Sequence, residues 1–105
     1  MAKTMLEIRM NYTNALKQAE KLKAAADSIQ KDITASEQCR QTLASSWTGA
    51  NAEAYNSKLA ATEQKLAQLK KNLNDAAQTV KRIAERTYNT EMKTLEISRN
   101  RTYNG

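Results

Sequence analysis

The chain has 105 residues, a formal net charge of +6 and an apolar fraction of 40% of which 17 residues are alanine. With one Cys, no His and no Phe, it has neither the ligands for a structural metal, nor a disulfide, nor the side chains for a thick core. A chain with so little to bury completes its core with a partner chain, so cofactors are not expected.

The first arm carries apolar or small residues at Met5, Ile8, Tyr12, Ala15, Ala19, Leu22, Ala26, Ile29, Ile33, Leu43 and Trp47. This is the alternating three- and four-residue rhythm that keeps one stripe facing a partner helix. Charged residues such as Lys17, Lys21, Asp27 and Lys31 fill the positions between. The rhythm weakens at Ser36 and Arg40, where Cys39 beside the stripe is expected to substitute as a buried small hydrophobe. With no Pro or internal Gly to stop it, the pattern predicts one helix from about residue 4 to about residue 46, roughly 65 Å long at helical rise.

Ser45-Ser46-Trp47-Thr48-Gly49 then interrupts both the rhythm and the helix-forming composition. The serines suit a helix end because they hydrogen-bond nearby backbone, and Gly49 takes a positive φ without steric cost. Thr48 is the expected N-cap of the next helix, with Glu53 supplying negative charge in its first turn. A turn confined to about residues 47–50 forces the flanking helices into an antiparallel αα-hairpin.

The second arm reads Ala52, Tyr55, Leu59, Thr62, Leu66, Leu69, Leu73, Ala76, Val80 and Ile83 as its stripe. Beyond Ile83 the pattern slips to Ala84, Tyr88, Met92 and Leu95, which turns Tyr88 off the earlier line and away from the first arm. The helix is expected over about 51–98, with a flexible tail after it, the whole forming a single helical-hairpin domain. Alanine-rich seams let helices approach closely but bury little area, so a lone hairpin would be marginal at about 25 cal/mol per Å². The fold class expected is therefore all-α, an antiparallel two-helix hairpin that dimerises into a four-helix bundle.

The charge is +2 over residues 1–47, +1 over 48–80 and +3 over 81–105. Glu85, Glu91 and Glu96 are interleaved with the basic residues at the end, which reads as a solvated face and not as a nucleic-acid footprint. The longest apolar run is three residues, against about 20 for a transmembrane helix. The first residues lack the apolar stretch of a cleaved signal peptide. Without His, a phosphate loop or paired cysteines, no catalytic site is expected and the chain does not read as an enzyme.

A chain of this length, with a mid-chain Trp47-x-Gly49 corner between two amphipathic helices and Ala52, Glu53 and Tyr55 opening the second, resembles the WXG family of ESAT-like type VII secretion substrates. The resemblance covers nearly the whole chain. It implies a small bacterial protein, not an enzyme, made in the cytoplasm and secreted by a type VII secretion system without a cleaved signal peptide. The partners it implies are a second similar hairpin in a homodimer or heterodimer, the type VII secretion ATPase and a larger effector. It implies a turn motif at Trp47 and Gly49 beside an export-recognition surface. It also implies a C-terminal Tyr-x-x-x-Asp/Glu export contact, whose nearest counterpart here is Tyr88 with Glu91, three positions on instead of four. A cytoplasmic coiled-coil adaptor and a small basic nucleic-acid-binding module are the alternatives.

Overall fold

The computed structural model describes residues 3–104, all but a few of them in two helices, α1 (Met5–Ser46) and α2 (Ala50–Asn104), which form a hairpin. No strand occurs among the described residues. Alanine, leucine, lysine, glutamine and glutamate dominate both helices, and these residues lose little on entering helix. Thr4 starts α1: its Oγ1 accepts a 3.1 Å hydrogen bond from the Glu7 N–H and its carbonyl accepts from the Ile8 N–H at 3.1 Å. This is the N-cap half of a Thr-x-x-Glu capping box.

At the far end of α1, Ser45 and Ser46 both donate to the Thr42 carbonyl, at 2.7 and 3.1 Å, and the Trp47 N–H still donates to the Leu43 carbonyl at 2.7 Å. Gly49 then adopts φ +114°, and its carbonyl accepts the first hydrogen bond of α2, from the Glu53 N–H at 3.0 Å. Gly49 is thus both the reversing residue and the N-cap, the position the sequence assigns to Thr48. One glycine combines the roles because α2 begins at Ala50, directly after it. A Cβ on Gly49 would meet nothing within 4 Å, so the backbone angle alone restricts the position. Gly49→Ala is expected to cost about 1–3 kcal/mol in urea unfolding, the usual penalty of holding a side chain at such an angle.

Past Ser98, where the sequence pattern fades, α2 continues through Asn104. The expected flexible tail is therefore helix that far, and Gly105 lies outside the described residues. No residue between 98 and 104 breaks a helix, and Arg101 in the last turn complements its C-terminal carbonyls.

Contacts group the chain into two compact units. The terminal unit comprises Met1–Lys21 with Ala76–Gly105, and the corner unit is Leu22–Asp75. In the terminal unit the buried apolar residues are Ile8, Ala19, Ala77 and Ala84; in the corner unit they are Ala26, fully buried, and Ile33. Alanine at four of these six positions lets the helix axes close together, and among the described residues no large side chain is fully buried.

From Met5 to Leu43 the α1 stripe lies where its rhythm places it, with Ser36 and Arg40 kept in line, whereas Cys39 and the stripe's last member, Trp47, are exposed. The expectation that Cys39 replaces them is therefore corrected: the two polar residues stay in the seam because they find a buried acid there. In α2 the stripe is shifted. Leu59, Leu66, Leu73 and Val80 form its centre as expected, but the adjoining inward positions are Glu63, Lys70, Ala77 and Ala84. Tyr55, Thr62, Leu69, Ala76 and Ile83, assigned to the seam by the sequence pattern, are exposed. After Ile83 the inward residues are Ala84, Tyr88, Met92 and Leu95, as the sequence pattern has them: Thr87 is exposed, and the line through Leu59 and Val80 steps by one residue to Tyr88 and Leu95.

Candidate functional site

In the corner unit, the helix reversal at Gly49 brings the start of α2 back beside the end of α1. Trp47 and Tyr55 meet with ring centroids 5.9 Å apart and planes inclined by 54°. Both remain open to solvent, at 42% and 49% exposure. A groove of about 220 Å³ runs along them, bounded by Leu43, Gly49, Ala52 and Asn56, with Arg40 at its inner end. Two half-exposed aromatic rings over a shallow apolar groove are suited to binding another protein surface, where Trp and Tyr anchor well.

Arg40 ties the groove to a polar layer in the seam. Its Nε donates to Glu63 Oε2 and its terminal nitrogen to Oε1, both at 2.7 Å, the two-pronged geometry that a guanidinium and a carboxylate form best. Ser36 Oγ donates a further bond to Oε2 at 2.7 Å, and Arg40 also reaches Asn56 Oδ1 at 3.4 Å. Glu63 is only 7% exposed. The hydrogen bonds from Arg40 and then Ser36 hold its carboxyl below the ordinary glutamate range, and the bond to Glu63 raises the Arg40 guanidinium in turn. Lower in the same unit, Lys70 donates to Gln30 Oε1 at 2.6 Å.

The terminal unit holds Tyr88 and Glu91. Tyr88 packs on Tyr12, with ring centroids 4.8 Å apart and planes tilted by 37°. Glu91 Oε1 accepts from Lys3 Nζ at 3.1 Å. Both residues therefore face α1, which corrects the expectation that Tyr88 turns away from the first arm. The i, i+3 spacing does put them on one helix face. They line a groove of about 270 Å³ with Ile8, Ala15, Val80 and Ile83.

Reading the sequence for stripes missed the Arg40–Glu63 pair. The signal was available: Ser36 and Arg40 occupy stripe positions in α1, and Glu63 precedes Ala77 and Ala84 on one seven-residue line in α2. Thr4-x-x-Glu7 was an equally legible cap. Among the described residues no group of three or more His, Cys, Asp or Glu could hold a metal, and no helix is long and apolar enough to cross a membrane.

No curated protein and no solved structure matches the chain. Residues 7–92 match the WXG100 family, described as proteins of 100 residues with WXG, a span that contains Trp47-Thr48-Gly49 and most of both helices. With its helical hairpin turning at that Trp-x-Gly corner, the chain belongs to the WXG100 family, the ESAT-like proteins associated with type VII secretion.

Proposed function

We propose that the chain is exported by a type VII secretion system as one half of a helical-hairpin dimer, paired with a like hairpin or accompanying a larger effector. It acts by binding and not by catalysis, and it leaves the cell without a cleaved signal peptide. The observation that carries this reading is the Trp47-Thr48-Gly49 corner, set between two long helices inside the family match. The exposed apolar residues support a dimer: Leu6, Met10, Ile83 and Ile97 in the terminal unit, and Trp47, Tyr55 and Leu69 in the corner unit. In this reading Trp47 and Gly49 give the corner its shape, Tyr88 and Glu91 form the second export contact, and the secretion ATPase reads them.

The test is fractionation of the native host with and without its secretion ATPase. The protein is expected in the culture supernatant of the first and confined to the cells of the second; equal amounts outside both would end the reading. Trp47→Ala is expected to fold, since the ring is 42% exposed, yet to reach the supernatant at about a tenth of the wild-type level or less, as loss of an aromatic anchor does. Wild-type export of that variant would remove the corner from recognition.

A further inference from the structure

Within the terminal unit, the start of α1 lies over Tyr88 and Glu91. The Tyr88 ring packs on Tyr12 at 4.8 Å, and Lys3 Nζ holds Glu91 Oε1 at 3.1 Å. Glu91 Oε2 is buried and has no hydrogen-bond partner among the described residues. One carboxylate oxygen is thus occupied and the other closed off, so a partner cannot pair with the full carboxylate in this arrangement. A buried oxygen without a donor also destabilises the closed arrangement, since water would satisfy it on opening.

The covering segment is weakly held. Between Lys3 and Tyr12 only Ile8 is buried, at 3% exposure, while Leu6 and Met10 stand 67% and 54% exposed. Two grooves, of about 310 and 270 Å³, both run along Ile8 and Glu91, so the packing here is open. The end of the segment is closed by the Thr4 cap and the partly exposed Lys3 ion pair, each a weak restraint. A helix end with so few buried apolar contacts opens locally, at far less cost than global unfolding.

We propose that residues 3–12 act as a strap over the export contact, and that the secretion ATPase binds Tyr88 and Glu91 only in molecules whose strap has lifted. This rests on the reading of Tyr88 and Glu91 as that contact and adds its regulation. Lifting frees the Tyr88 ring and both Glu91 oxygens together. The α2 helix stays formed beneath, because its backbone hydrogen bonds run within the helix. The apparent affinity of the ATPase then scales with the lifted fraction, and whatever raises that fraction tightens binding.

The test alters the cap of the strap and leaves the contact untouched. Thr4→Ala removes the oxygen that accepts from the Glu7 N–H and is expected to raise the lifted fraction about fivefold. Hydrogen exchange reads the lifting. Wild-type amides over 8–12 are expected to exchange at least about tenfold faster than those over 26–33, and Thr4→Ala to speed the former about fivefold further. Titration with the purified ATPase reads the consequence. Thr4→Ala is expected to bind about fivefold tighter than wild type, and Thr4→Asp, a stronger cap, more weakly. Tighter binding by a less stable chain is a result that a merely structural cap would not give. Adding Tyr88→Ala is expected to abolish the gain. Amides over 8–12 as protected as those over 26–33 would overturn the proposal, as would a Thr4→Ala affinity no higher than wild type or a gain that survives Tyr88→Ala. If neither wild type nor any variant binds the ATPase, the export reading falls and the proposal with it; binding that ignores the cap sinks the proposal alone.

Discussion

Ile33→Ala is expected to lower the stability of the chain by roughly 2–4 kcal/mol, the cost of emptying a buried isoleucine site less the small gain from alanine's helix preference. Ile33 is 6% exposed, in a corner unit whose other buried apolar residue is Ala26. For a hairpin that buries so little, such a loss is a large share of the total. Leu69→Ala is the matched control. At 47% exposure, its loss is expected to change stability by about 0.5 kcal/mol or less. Urea unfolding followed by circular dichroism, at concentrations where the chain is monomeric, measures both. A Leu69 effect as large as that of Ile33 would return Leu69 to the seam, where the sequence pattern had it.

That contrast marks what could and could not be read from residues alone. The two helices, the corner and the α1 stripe were legible because heptad rhythm, absence of breakers and one glycine all point the same way. The phase of the α2 seam was not. Positions 62 and 63 both flank the line through Leu59 and Leu66, one on each side. Leu69 and Ile83 made one side look buried; Glu63 and Lys70 made the other look exposed. The structure buries the polar side because its charges have partners in α1: Arg40 and Ser36 for Glu63, and Gln30 for Lys70. Polarity was read as exposure, a rule that fails where a charge is paired across a seam. The error in Cys39 has the same root, since Arg40 looked too polar to stay in line.

The misread phase also explains why the candidate sites were only partly visible. Trp47 and Gly49 announce themselves as the one Trp and the one glycine before the last residue. Tyr88 and Glu91 were correctly placed on one face, but the face was thought to look outward. Once the seam is rotated to Glu63, Ala77 and Ala84, Tyr88 comes to rest on Tyr12 and Glu91 on Lys3. The same rotation leaves the more apolar flank of α2 open. The hairpin contact thus uses polar pairs and alanines and leaves Leu69 and Ile83 exposed.

Arg40→Leu is expected to destabilise the chain strongly, because it leaves Glu63 buried with Ser36 as its only remaining donor. The size of the pH response should distinguish this cause from a simple loss of packing. In the wild type Glu63 titrates lower folded than unfolded. Its contribution is therefore complete above the unfolded value of about 4.3 and is lost as pH falls through the lower folded value. Without Arg40 the largest cause of that lowering is gone and only the Ser36 hydrogen bond, set against burial, remains, so the folded value moves back toward the unfolded one and much of this pH-dependent stability disappears. Stability measured between pH 3 and 7 should thus rise with pH in the wild type and do so less steeply in the variant. Arg40→Leu combined with Glu63→Leu removes both charges and fills the seam with apolar groups, while Ser36 can turn to a carbonyl of its own helix. That double variant is expected to melt at or above the wild-type temperature and to lose this part of the pH dependence. A double variant as unstable as Arg40→Leu alone would mean that the pair itself, and not the neutralising of a buried carboxylate, holds the corner unit together.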